Sequence, residues 1–268
     1  MILVTGASGN VGTALVQRLR ADNVPVRAGS RHPGPDGVAL DLAKPETLVL
    51  DGIDTVFLLA ATGPDQTAQE LNMVRAAREA GVRIVKLSVW RADEGLSPIA
   101  RAHRPVEQAL DGLRWTVLRP NFYLQNFLRQ PGIRTDGRFG TPLIAAPVSF
   151  VDANDVAAVA AHVLTTDGHD GQIYDITGPE ALTYDEAAAV FTEVLGRPVR
   201  YEGWDDEQAR AAMLGRGMPA FYVEALIEVA RAYRNGGAET VTATVKEFTG
   251  RDATGLAEFI RRHLDVFA

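Results

Sequence analysis

Residues 4–19, VTGASGNVGTALVQRL, set Gly6, Gly9 and Gly12 between a short apolar strand, MILVT, and an amphipathic helix with Val11, Leu15 and Leu19 on one face. In a dinucleotide-binding fold such glycines have separate tasks. One permits the tight turn, the next lets the backbone approach a pyrophosphate, and the third lets helix and strand pack closely. The helix start adds free N–H groups and the positive end of a dipole. What gives the pattern weight is its place, directly after the first strand and opening the first helix. Gly6, Ser8, Gly9, Asn10, Val11 and Gly12 are therefore read as a phosphate cradle.

Apolar runs and amphipathic helices alternate outward from this loop. VPVRAGS follows a turn at Asp22 and Asn23; then come GVALDL, DTVFLLA, a helix over about 64–80, RIVKLSV, a helix over about 105–110, and WTVLRP. The alternation predicts a Rossmann-type, doubly wound α/β fold, its parallel sheet covered on both faces. SFVDANDVAAVAAHVLT reads as a strand end capped into a helix, with Asp152 and Asp155 as capping and positioning groups rather than an acid and base. GQIYDIT is a further strand. Helices predominate beyond it, opening on a capping box between Thr183 and Glu186. The expected division is a nucleotide-binding domain over 1–177 and a smaller, mainly helical substrate-side region over 178–268, with some C-terminal segments packing back on the first.

The 268 residues carry a formal charge of -7, and with a pI near 5.3 the chain repels polyanions and lacks the basic footprint of a nucleic-acid or membrane-surface binder. The absence of cysteine excludes disulfides, thiolate catalysis, Fe–S clusters and cysteine-ligated zinc. The histidines lack zinc-site spacing, and no Gly-x-Ser-x-Gly elbow occurs. The first residues run straight into a strand, and no segment nears the ~18 apolar residues of a membrane span, so a cytoplasmic protein is expected. Lysine stands only at Lys44, Lys86 and Lys246 against abundant arginine and alanine, as expected of a GC-rich bacterial genome.

The end of the second strand, about 20 residues past the loop, is where such a fold chooses its dinucleotide. An acid there would hold the ribose hydroxyls of NAD(H). This chain has AGSRHP instead, and Arg31, with Ser30, offers a planar fork to a 2′-phosphate. NADP(H) is thus expected ahead of NAD(H), the competing reading being a solvated surface arginine. Asp41 and Leu42 end the third strand, where they would frame the adenine; Asp41 serves equally as a turn residue. Ala60, Ala61 and Thr62 end the fourth strand with small residues against which a cofactor can lie.

Together, TGASGNVG, VKLSV, HRPVEQAL ahead of WTVLRPNFYLQN, FVDANDVAAV and YDITGPEALTYDEAAAVFTEVLG resemble the NmrA-like branch of the atypical short-chain dehydrogenase/reductase superfamily. The resemblance covers nearly the whole chain and is close to the NADPH:quinone reductase and triphenylmethane reductase type. One departure matters. The superfamily's Tyr-x-x-x-Lys pair is missing, because none of Tyr123, Tyr174, Tyr184, Tyr201, Tyr222 and Tyr233 has a lysine four residues on. An unassisted tyrosine, with a pKa near 10, is a weak acid at neutral pH.

In place of that pair stands AHRPVEQAL, with His103 and Glu107 one helical turn apart. The resemblance implies that His103 lies near the nicotinamide and faces substrate, where an imidazole titrating near neutrality would protonate an oxyanion. The other reading starts the helix at Pro105 and makes Glu107 a first-turn acid complementing the dipole. Ser88 resembles the superfamily's active-site serine in position, so His103, Tyr123 and Ser88 are the catalytic candidates. Lys86 shares the strand face of Ser88, and either touches the cofactor or snorkels to the surface. Pro120 and Asn121 are placed near the carboxamide, with Phe122 and Tyr123 toward substrate or in the core. Met213, Met218, Phe221 and Tyr222 form either a lid or the core of the second region.

The expected activity is hydride transfer from NADPH to a flat conjugated acceptor such as a quinone or enone, which stabilises the resulting anion itself and so needs little acid catalysis. Two other readings stand beside it: a non-catalytic NADP(H) sensor that binds a partner protein, and an epimerase or cyclase without net redox change. The expected partner is a small conjugated molecule, with no nucleic acid and no membrane; a homodimer is compatible with each reading.

Overall fold

In the computed structural model, which describes residues 1–35 and 37–268, the alternation becomes β1 (Ile2–Val4), α1 (Asn10–Ala21), β2 (Val26–Ser30), β3 (Gly37–Ala39), β4 (Thr55–Leu58), α2 (Gln66–Ala80), β5 (Arg83–Leu87), α3 (Pro98–Gln108) and β6 (Trp115–Pro120). There follow α4 (Gly132–Thr135), β7 (Arg138–Pro142), α5 (Ala153–Thr165), β8 (Gln172–Ile176), α6 (Tyr184–Leu195), β9 (Arg200–Trp204), α7 (Asp206–Gly215), α8 (Ala220–Tyr233), α9 (Thr244–Thr249), α10 (Leu256–Arg262) and α11 (Leu264–Phe267).

Seven strands pair in parallel in the order β3-β2-β1-β4-β5-β6-β8. The order reverses between β1 and β4, and that reversal opens a crevice at their carboxyl ends. β4 and β5 are buried along their whole length, as strands covered on both faces must be. One face packs on α1 and α5 through Leu15, Leu19, Val156 and Val159. The other packs on α2 and α3 through Met73, Val74, Val106 and Leu110. This is the doubly wound fold that the sequence predicts.

A separate core, with Phe127, Phe139, Phe150, Phe191 and Phe259 among its larger members, gathers the segment after β6 with α6, α8, α10 and α11. α9 packs back on the sheet side through Val245 and Phe248. β7 and β9 form a parallel pair that the sequence pattern does not announce. Its RFGTP strand contains Gly140 because the Trp204 indole fills the space a side chain would need. Among the described residues, no helix is long and apolar enough to cross a membrane.

Two local expectations change. α3 begins at Pro98 rather than Pro105: the Ser97 hydroxyl accepts the Ala100 N–H, and Pro98 takes the first position, where a missing N–H costs nothing. Pro105 lies inside the helix and deprives the Arg101 carbonyl of its helical donor. β3 ends at Ala39, so Asp41 and Leu42 lie beyond it; the Asp41 carboxylate accepts the Ala43 N–H and closes a turn, while Leu42 is buried. The other caps are as read. Asp152 caps α5, Asp155 accepts the Thr254 N–H, and Thr183 and Glu186 form their box. Met213 is core between α7 and α8 with Met218 against it, whereas Phe221 is exposed.

Candidate functional site

At the carboxyl end of β1 the chain turns at Gly6, whose φ of +58° is left-handed and favours glycine. A Cβ there would also lie 2.8 Å from Leu59 Cγ. A Cβ on Gly12 would fall inside the radius of the Gly6 carbonyl oxygen and 2.9 Å from Ala7 Cα, so α1 starts this close to the loop only with glycine. Gly9 differs. Its φ is -83°, and a Cβ would meet nothing nearer than the Gly6 oxygen at 3.4 Å. The protein makes little demand on Gly9, and the space above it is open; Ser8 and Asn10 beside it are exposed, and Val11 is buried beneath.

α1 has neither a side-chain cap nor an acid in its first turn, whereas Asp152, Thr183 and Asp205 cap α5, α6 and α7. Its first N–H groups and dipole end are left for an anion. The facing wall is the end of β4. Thr5 Oγ1 donates to the Leu59 carbonyl at 2.7 Å and accepts the Leu59 N–H at 2.8 Å, stitching the two strands at the crevice. Ala60 is buried, and Ala61 and Thr62 are exposed. Ser30 ends β2 half-buried. Arg31 beyond it is exposed and makes no hydrogen bond or ion pair among the described residues. An open helix start, a glycine cradle and a guanidinium without a partner among the described residues fit a dinucleotide with a phosphate on its ribose.

At the carboxyl ends of β5 and β6 the acid–base candidates are engaged elsewhere. Ser88 is buried and its hydroxyl donates to Glu107. Glu107 also accepts a bidentate pair from Arg119, Nη2 to Oε2 at 2.6 Å and Nε to Oε1 at 3.1 Å, while Arg119 Nη1 donates to Asp93 at 2.9 Å. Glu107 is therefore an ion-pair partner near the end of α3, not a first-turn acid. Tyr123 packs half-buried on the α1–α5 side, and burial lifts its phenol well above the ordinary tyrosine value.

His103 turns away from Glu107 into the interface between α2 and α3. Gln66 Nε2 donates to its Nε2 at 2.9 Å, and its Nδ1 lies 3.9 Å from Glu70 Oε2. Burial, reinforced by the Lys86 charge, drives its pKa well below the ordinary histidine value. The imidazole is buried between α2 and α3 rather than open on the crevice, and that burial favours its neutral form. Lys86 is corrected too: it neither snorkels nor opens on the crevice, because its fully buried Nζ donates to Glu70 Oε1 at 2.9 Å and to the Leu87 carbonyl.

Pro120 is buried at the end of β6. Asn121 follows, its Nδ2 donating to Ser149 Oγ and the Ala238 carbonyl, both at 2.8 Å. Its Oδ1 is buried and has no partner among the described residues, an acceptor suited to an amide NH2. Phe122 meets Phe150 and Tyr233 edge-on. Two residues were missed by the sequence reading, Gln66 and Glu70. They sit one turn apart on the buried stripe of α2 with Met73, Val74 and Ala77, and a glutamate on an apolar stripe is a signal a sequence can give.

Residues 1–260 match the NmrA-like family. An NAD(P)H azoreductase of Xenophilus azovorans is 36% identical, covering 100% of this chain and 99% of the relative. A (4-alkanoyl-5-oxo-2,5-dihydrofuran-3-yl)methyl phosphate reductase of Streptomyces griseus is 39% identical, again over 100% of this chain and 99% of that protein. Among solved structures, an NADPH-dependent quinone oxidoreductase of Escherichia coli complexed with NADPH superposes with a TM-score of 0.89 at 26% identity, covering 98% of this chain and 100% of that one.

Proposed function

The chain belongs to the NmrA-like family, and from that premise we propose that it is an NADPH-dependent reductase delivering hydride to a conjugated small-molecule acceptor. The observation that carries this reading is the state of the acid–base candidates on β5, on α3 and after β6. Ser88 is committed to Glu107, His103 is held neutral, the Tyr123 phenol is raised, and Lys86 is tied to Glu70. None of them suits proton donation to an alkoxide at neutral pH. An isolated ketone needs such a donor; a quinone, an azo linkage or an unsaturated lactone spreads the charge over its own π system. The relatives are named for acceptors of that kind.

Bound nicotinamide supplies the hydride. The protein's part is to hold and to shield. The 6–12 loop and the start of α1 grip the pyrophosphate, Arg31 with Ser30 takes the 2′-phosphate, and the turn of Asp41 and Leu42 flanks the adenine. Ala60, Ala61 and Thr62 form the wall, and Asn121 Oδ1 accepts from the carboxamide. Ser88, Pro120 and Tyr123 border the acceptor, and the region over 178–268 closes that side against water.

Turnover of NADPH with a panel of quinones, azo compounds and enones tests the reading, and cofactor binding without turnover of any would remove the reductase. Two further results are expected. Arg31→Ala should weaken NADPH binding about 10- to 100-fold, the worth of one charge-assisted phosphate contact, and leave NADH unaffected. Fluorescence titration with both nucleotides checks it, equal loss for the two being the contrary result.

The second concerns pH. A histidine with a lowered pKa stays neutral above that value, and a tyrosine with a raised one stays protonated below it, so neither changes charge between about pH 6 and 9. Single-turnover oxidation of bound NADPH by a quinone should be flat over that range. A limb titrating like an ordinary histidine would restore His103 as the acid.

A further inference from the structure

We propose that Glu70 is a positioning residue for the dinucleotide: through the Ala60 N–H its carboxylate fixes the backbone over 60–62, and Lys86 serves that carboxylate rather than the ligand. The inference rests on reading the crevice between β1 and β4 as the cofactor site. Both side chains have 0% exposure. Glu70 Oε1 accepts from Ala60 N–H at 3.2 Å and from Lys86 Nζ at 2.9 Å. Ala60 directly follows Leu59, which Thr5 stitches to β1 and against which Gly6 packs. The carboxylate on α2 thus grips the wall at its root, just before the exposed Ala61 and Thr62.

A dry ion pair is a poor source of stability, because desolvating both charges offsets their attraction and an apolar pair of equal volume often does as well. What an apolar pair cannot supply is an acceptor for the Ala60 N–H, which would be left buried and unsatisfied with the loop free to turn away. The remaining polar neighbours of Glu70 are the Gln66 side chain on its own helix, which also favours the carboxylate, and His103. From α3, His103 Nδ1 stands 3.9 Å from Oε2, and among the described residues Oε2, that nitrogen and Gln66 Oε1 have no partner within hydrogen-bond distance. The close contacts of Glu70 Oε1 therefore join the end of β4 to the end of β5.

Two double variants separate this grip from stability. Glu70→Gln with Lys86→Met removes both charges and keeps a side-chain oxygen for Ala60. Glu70→Leu with Lys86→Met removes both charges and the acceptor. Fluorescence titration should show the first binding NADPH at least about tenfold more tightly than the second, the worth of one such hydrogen bond. Amide exchange at Ala60 should be faster in the second variant while the amides of β1 and β5 are unchanged, a difference that a purely structural role would not produce.

Should the Leu/Met protein fail to fold, Glu70→Met with Lys86→Leu makes the same comparison. Equal NADPH affinity in the two folded variants overturns the inference and leaves the cofactor reading intact. A wild-type protein that binds no NADPH overturns the reading of the crevice and, with it, this role for Glu70.

Discussion

Gly12→Ala is expected to destabilise the protein by about 3 kcal/mol or more and to abolish dinucleotide binding, whereas Gly9→Ala should leave the fold intact and remove the binding alone. At Gly12 the added methyl collides with backbone, the Gly6 carbonyl oxygen and Ala7 Cα, and no side chain can move aside. Relief requires α1 to lift off the loop, which would pull Leu15 and Leu19 from the core shared with α5. At Gly9 the methyl meets only the Gly6 oxygen, at an ordinary 3.4 Å. It would instead occupy the space over the uncapped start of α1. A pyrophosphate kept off those N–H groups forfeits charge-assisted hydrogen bonds worth about 1.5–3 kcal/mol each, so the dissociation constant should rise at least about a hundredfold. Thermal unfolding and NADPH titration of both variants make the test. A Gly9→Ala protein that binds like the wild type would take the phosphate away from this loop.

The glycine loop was legible because its constraints are local: a left-handed turn and two backbone surfaces in contact impose glycine whatever surrounds them. β4 was legible because a strand buried on both faces leaves a nearly continuous apolar run, and β5 because its Ile84, Val85 and Leu87 keep most of one around two buried charges. α3 was misread because proline marks both the first turn of a helix and a break within one, and Pro105 drew attention from the Ser97–Pro98 start.

The roles of His103 and Glu107 were not legible for a different reason. One-turn spacing puts two side chains on neighbouring parts of a helix, but what each meets is set by other elements, Gln66 and Glu70 of α2 for the first and Arg119 of β6 for the second. Strand parity correctly turned Lys86 and Ser88 to one side of β5, where they meet Glu70 of α2 and Glu107 of α3. It could not name their partners. The β7–β9 pair left no signal, since a strand reading RFGTP, with glycine and proline, carries neither alternation nor an apolar run.

The second large effect is expected from Lys86→Met, which should lower stability by about 3–5 kcal/mol at neutral pH by leaving a buried carboxylate alone. For a chain of this size that is a fall in melting temperature of roughly 10 °C. Burial already holds the Glu70 carboxyl above its ordinary value of 4.5, with Lys86 acting against it. Burial likewise lowers the Lys86 ammonium. Without the lysine, the Glu70 carboxyl is pushed up further. A group whose folded pKa is raised gives stability that is fully present below the unfolded pKa and lost as pH rises through the folded one. The deficit of Lys86→Met against the wild type should therefore narrow as pH falls into the carboxylic range and be widest at neutral pH. Urea unfolding across that range measures it. Adding Glu70→Gln should restore most of the loss at neutral pH, because no lone charge remains. A deficit independent of pH would trace the loss to the packing of methionine, and Glu70 and Lys86 would no longer be read as an ion pair.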